Sequence, residues 1–250
     1  MKKITFLFVF ISIFGYAQTP ITDYNIEDAI DTCLSTNPVD GMCSDSEYGA
    51  MPDWDVSSIG NMSALFYQRT EFNADISSWD LSNVENMEKM FYGAKSFNQD
   101  ISSWDVSSVT SMSKIFQRAE SFNQPLNNWD VSNVINMGQM FTEAESFNQD
   151  ISSWDVSGQI SMRNMFAVAK AFNQDINSWD MSNVTDMFGM FWRAESFNQP
   201  LNNWDVSNVI DMWQMFDGAE SFNQDISDWC VINISSEPDL FSSGSPLSTS

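Results

Sequence analysis

The chain has 250 residues and carries 34 acidic against 10 basic side chains, with no histidine. That negative balance opposes nucleic acid and anionic membranes as partners, and the lack of histidine excludes histidine-dependent triads and histidine metal sites. A hydrophobic content of 43 % is too high for a disordered acidic chain.

Lys2 and Lys3 precede an apolar run over residues 4–14, and Gly15-Tyr16-Ala17 offers small residues at the two positions a signal peptidase reads. The run is too short to span a bilayer comfortably. Residues 1–17 are therefore expected to be a signal peptide cut before Gln18, giving a secreted or cell-surface protein with no membrane insertion after cleavage. Removing Lys2 and Lys3 leaves 8 bases against 34 acids, a formal charge of −26. Residues 18–50 are expected to form an N-terminal cap, with a helix starting near Asp23 and running through Ile30. Cys33 and Cys43 lie ten apart in this cap, and in an exported chain that spacing suggests a small disulfide loop. Cys230 is left over, to pair between molecules, stay free or bond a partner beyond Ser250.

From residue 51 the sequence repeats. Tryptophan falls at Trp54, Trp79, Trp104, Trp129, Trp154, Trp179, Trp204 and Trp229, always 25 residues apart. Each unit combines two periodicities. Trp79 and Leu81 flank Asp80, the period-2 signal of a short half-buried strand. Val84, Met87, Phe91 and Ala94 follow at spacings of 3, 4 and 3, the pattern of one helix face, with Ser82 and Glu85 matching a capping box. Neither element buries its apolar face alone, so neighbouring coils are expected to stack and align their Trp, Val, Met and Phe residues in columns. Asn73, Asn98, Asn123, Asn148, Asn173, Asn198 and Asn223 are expected to form a buried ladder that satisfies backbone groups at the turn. The expected fold is an α/β, leucine-rich-repeat-like solenoid with one short strand and one short helix per coil. Seven repeats occupy residues 51–228, and residues 229–250 are expected to form a degenerate C-terminal cap of a chain that continues past Ser250. Gln124-Pro125-Leu126-Asn127-Asn128 recurs as Gln199-Pro200-Leu201-Asn202-Asn203, which marks a duplication of three coils.

The unit WDVSNV-x-x-M-x-x-MF-x-x-A-x-SFNQDIS resembles the 25-residue repeat of BspA-type bacterial leucine-rich-repeat surface proteins, and a repeat domain of unknown function in mycoplasma lipoproteins. The resemblance covers about residues 51–241. It implies a bacterial solenoid displayed at the cell surface for adhesion or partner binding, with no catalytic residues to carry over.

Two sets of residues are candidates for function. Asp55, Asp80, Asp105, Asp130, Asp155, Asp180 and Asp205 share one position and should point outward, since their neighbours point in. Coils about 4.8 Å apart bring these carboxylates into mutual repulsion. Hydrogen bonds to nearby Ser or backbone N–H groups, bound calcium or a basic partner would each compensate. A second, interrupted column of Asp75, Asp100, Asp150, Asp175 and Asp225 suggests a turn role. The other set is aromatic: Phe188 and Trp213 should sit side by side in stacked coils, with Trp192 beside Phe188 at helical spacing. Such a patch either binds a partner or merely covers the edge of the coil. Paired carboxylates cleave glycosides, but these acids repeat in every coil whereas a catalytic pair is singular, so no enzyme activity is expected. The reading is a monomeric, non-catalytic secreted or surface adhesion protein that binds a protein or glycan without a cofactor. A calcium-stiffened structural spacer and a carbohydrate-active enzyme are its alternatives.

Overall fold

The computed structural model describes residues 18–247; the expected signal peptide, residues 1–17, lies outside the described residues. The chain opens with α1, Ile26–Thr36, which starts three residues after Asp23 and buries Ile26, Ala29, Ile30, Cys33 and Leu34. That stripe joins the same core as Met51 and Trp54, so the helix covers the first coil. Asp23 does not cap the helix. Its carboxylate accepts the N–H groups of Gly60 at 3.1 Å and Asn61 at 3.4 Å, which ties the cap to coil one. Cys33 and Cys43 are joined by a disulfide with Cα atoms 5.2 Å apart, as their spacing suggested. Tyr48 meets Trp54 edge-on with ring centroids 6.4 Å apart and finishes this end of the tryptophan row.

Beyond the 3-10 turn Met51–Asp53, the chain forms 25-residue coils that stack on one another. The expected strand and helix per coil are both absent: among the described residues the coils contain turns and isolated parallel bridges. Where a helix was expected, in coil two, Met90 N–H donates to Met87 C=O and Tyr92 N–H to Lys89 C=O, at 3.2 and 3.0 Å. The alternate N–H groups of Met87, Lys89, Phe91 and Gly93 donate to the next coil, to Ser111, Ser113, Ile115 and Gln117 at 2.8–3.0 Å. Lys89 and Gly93 have φ of 57° and 70°, the left-handed third residue that a type II turn demands. The same two positions are left-handed in every coil from one to seven, most without glycine.

Coil spacing explains why turns replace the helix. Along the stack, ring centroids lie 5.5 Å apart at Phe66–Phe91 and 6.5 Å apart at Trp104–Trp129. An α-helix with its side chains is about 10 Å wide, so helices cannot repeat at that interval. A string of turns is one backbone thick and bonds to both neighbours. It also buries Val84, Met87, Met90, Phe91, Ala94 and Phe97 completely, which satisfies the 3-4-3 pattern by another route.

In place of the expected strand, Trp79-Asp80-Leu81 is a short link between two tight turns, closed by Trp79 N–H to Ile76 C=O at 3.1 Å and Val84 N–H to Leu81 C=O at 2.8 Å. Bridges occur instead at Asn61–Asn86–Ser111–Asn136 and Ser161–Asp186–Asp211. Each buried indole finds a partner: Trp104 Nε1–H donates to Ile76 C=O at 3.2 Å, and Trp179 to Ile151 C=O at 3.1 Å. The asparagine ladder is present. Asn98 N–H donates to Asn73 Oδ1, Asn123 to Asn98 and Asn148 to Asn123, each at 2.9 Å. It runs along the half-buried to exposed edge of the stack rather than within the core. Gln159 interrupts the valine row of coils two to seven. Its Oε1 is buried without a hydrogen-bond partner, and the bridge row breaks beside it, between Asn136 and Ser161.

The far end is looser. Ile226, Trp229, Ile234 and Phe241 continue the core rows but are only partly buried. They line an open cavity of about 800 Å³ with Val231 and Leu247. Cys230 is exposed and free.

Candidate functional site

The aspartate column points outward as expected, every member exposed between a buried Trp and a buried Val, Leu or Met. The fold disposes of its charge locally. Asp55 Oδ1 accepts Ser57 N–H at 3.1 Å and Ser57 Oγ–H at 2.7 Å. Asp105, Asp130 and Asp155 bond Ser107, Ser132 and Ser157 in the same two ways. Asp80, Asp180 and Asp205 accept the backbone N–H of Ser82, Ser182 and Ser207 at 3.0 Å. These are Asx turns, so Ser82 serves the turn and caps no helix.

Hydrogen bonds from the serines hold Asp55, Asp105, Asp155, Asp180 and Asp205 below the usual carboxylate range. Asp80 is lowered likewise, first by Ser82 N–H, although its neighbours Asp55 and Asp105 push it upward. The repulsion along the column is real, and the turn bonds outweigh it. The second column makes the same turn: Asp75, Asp100, Asp150 and Asp225 accept from Ser77, Ser102, Ser152 and Ser227, and Asp175 from Asn177, at 2.9–3.1 Å. Among the described residues no group of three or more Cys, Asp or Glu side chains gathers to hold a metal ion.

The aromatic set is divided by the structure. Phe188 and Trp213 are neighbours, with ring centroids 4.8 Å apart and planes tilted by 38°. Trp192 makes no ring pair with Phe188. Its Nε1–H donates to Asp217 Oδ2 at 3.1 Å, and Arg193 lies 5.1 Å over its ring. The expected pairing assumed helical spacing. A left-handed turn at Gly189, φ 57°, separates the two residues instead. A side chain at 189 would meet Asn164 Oδ1, which would have to turn aside.

The site holds residues that the repeat pattern hid. Arg163 precedes Phe188 and Trp213 at the same coil position, and its guanidinium lies 3.7 Å from the Phe188 centroid. It also reaches Asp186 at 3.4 Å and Asp211 at 3.7 Å. Coils five, six and seven thus carry a continuous stack of Arg163, Phe188 and Trp213, its free end an indole 36 % exposed. A cation over an aromatic face is favourable by about 0.5–1 kcal/mol at such exposed sites. The signal was present in the sequence, since the equivalent residues of coils one to three are Ser63, Glu88 and Ser113. A smaller stack, Tyr67 on Tyr92 at 4.9 Å with Arg118 6.0 Å beyond, occupies a different row in coils one to three.

Neither a curated protein nor a solved structure matches the chain. The family described as Mycoplasma protein of unknown function, DUF285, matches it over residues 39–154 and again over residues 126–229. The overlapping matches follow the stacked coils and together take in the aspartate columns and the Arg163–Phe188–Trp213 row. The chain is a repeat protein that belongs to the DUF285 family.

Proposed function

We propose that the protein is a non-catalytic binding or adhesion protein, a leucine-rich-repeat-like solenoid of BspA type in which turns take the place of the helices. It acts outside the producing cell, secreted or at the surface, and recognises a protein or glycan partner. The observation that carries the reading is the aromatic step of half-buried Phe188 and exposed Trp213, extended by Arg163, on a stack whose other aromatic rows are mostly interior. Aromatic rings and arginine held rigidly at a surface are the usual anchors of binding. The Cys33–Cys43 disulfide supports an oxidising compartment.

Arrays of immobilised proteins and glycans, probed with the labelled chain, test this reading. The expected result is a partner retained by the natural chain and lost by the variant carrying Phe188→Ala, Trp192→Ala and Trp213→Ala, with the fold intact by circular dichroism. Equal retention by both chains removes the aromatic step from the function.

A further inference from the structure

The rows around the aromatic step separate what the stack requires from what it does not. Asn61, Asn86 and Asn136 each accept, through Oδ1, the N–H of the residue two positions on, at 3.0, 2.9 and 3.2 Å. Asp186 and Asp211 accept the same bond from Phe188 and Trp213, both at 3.0 Å. A neutral amide oxygen serves that turn as well as a carboxylate does, so both charges are surplus to the fold. Arg163 reaches both carboxylates, but one guanidinium against two acids leaves a net negative charge beside the exposed indole of Trp213. No lysine or arginine follows Arg193 in the chain, so coil seven supplies no second cation.

A second row departs from the repeat three positions before the aromatic one. Ile135, Ile160 and Ile210 are 71 %, 63 % and 66 % exposed, where coils one to three carry Gly60, Glu85 and Thr110. Ile160 is three residues from Arg163, and Ile210 three from Trp213, across the bridge row that holds Asp186 and Asp211. Thr185 divides the row between Ile160 and Ile210, but its Oγ1–H is turned to Ile160 C=O at 3.3 Å, so the exposed isoleucines on either side give a sugar's hydroxyl groups little to bond. They match the apolar side chains of a protein.

We infer that these two rows of coils four to seven dock a protein, which lays a lysine or arginine over Trp213 against Asp211 and packs apolar residues along Ile135, Ile160 and Ile210. Arg163, seated on Phe188 between Asp186 and Asp211, is the chain's own copy of that contact. Tryptophan is the strongest aromatic partner for a cation, and a chain of net charge −24 steers basic partners toward it. The inference rests on the binding reading above and narrows it from protein or glycan to a basic, apolar protein segment.

The test uses substitutions that other coils already carry, so the fold tolerates them: Asp211→Asn, Trp213→Ser, Ile160→Thr and Ile210→Thr. A displayed library of random peptides is selected on the natural chain and counter-selected on the Trp213→Ser chain. The expected peptides carry arginine or lysine beside apolar residues. Their affinity should fall about fivefold with Asp211→Asn and about threefold with each isoleucine change, and it should weaken as salt rises. Enriched peptides without basic residues, or an affinity indifferent to Asp211→Asn, overturn the inference. A panel of soluble oligosaccharides forms the second arm. Sugar binding that needs Trp213 but ignores Asp211→Asn and the isoleucine changes overturns the inference and leaves the binding reading standing. No binding in either arm overturns both.

Discussion

Coils one to three and coils five to seven are built on nearly the same interior and present different faces. In both, the Trp rows stack at similar intervals, 6.3 Å at Trp54–Trp79 and 6.3 Å at Trp204–Trp229, and the paired Phe rings within a coil lie 3.9–4.0 Å apart. One outward row reads Ser63, Glu88, Ser113 in the first region and Arg163, Phe188, Trp213 in the second. Each inward side chain is fixed by a copy of itself above and below, so it resists change. An outward side chain has no such partner requirement, and variation collects where the fold does not resist it. The difference between the two regions is therefore where a binding function has room to arise.

The largest expected effect probes the shared interior. Phe91→Ala and Phe191→Ala remove equivalent, fully buried rings from the two regions, and each should cost about 3–5 kcal/mol in denaturant unfolding. Costs that differ severalfold would mean that the two interiors are not equivalent. Gln159→Val should act oppositely, because Gln159 alone interrupts the valine row and strands a buried Oε1. The substitution removes that unsatisfied acceptor but also the bond Gln159 Nε2–H donates to Val134 C=O, so a net gain of at most about 1 kcal/mol is expected, and a lower unfolding midpoint would show that the lost bond outweighs the stranded oxygen.

A similar gain is expected at Val168, a β-branched residue at φ 58° where coils two and seven carry Gly93 and Gly218. Val168→Gly should raise stability by up to about 1 kcal/mol, checked by the same unfolding curve. The smallest and most distributed effect is acid sensitivity. Hydrogen bonds from the serine two residues on hold Asp55, Asp75, Asp80, Asp100, Asp105, Asp150, Asp155, Asp180, Asp205 and Asp225 below the usual carboxylate range. A depressed carboxylate contributes stability above its unfolded pKa and loses it as pH falls through the folded value. The unfolding midpoint should therefore be flat at neutral pH and decline below about pH 4, in both regions alike. Because serine already meets these carboxylates, calcium or a chelator should leave the midpoint unchanged; a rise with calcium would favour the spacer alternative.

Much of the coil was legible in the sequence. The 25-residue spacing of Trp54 to Trp229 gave the stack, the disulfide followed from Cys33 and Cys43, and the asparagine ladder followed from Asn73 and its copies. The local backbone was not legible, because Val84, Met87, Phe91 and Ala94 fit a helix face and a string of turns equally well. What decides between them is the interval between coils, a property of the assembled stack. The pairing of Phe188 with Trp213 survived that error since it depends on stacking alone, whereas Trp192 was misplaced because it depended on the helix. Arg163, Asp186 and Asp211 were missed because single departures from a repeat show their meaning only when read down a column.

The most direct measurement exchanges the outward row. A chain carrying Arg163→Ser, Phe188→Glu and Trp213→Ser gives coils five to seven the face of coils one to three. Isothermal titration of natural and exchanged chains against the peptides selected above, with thermal unfolding run in parallel, compares face with interior. The expected result is binding by the natural chain, none by the exchanged chain, and closely similar unfolding midpoints. Undiminished binding by the exchanged chain would contradict the assignment of function to this face.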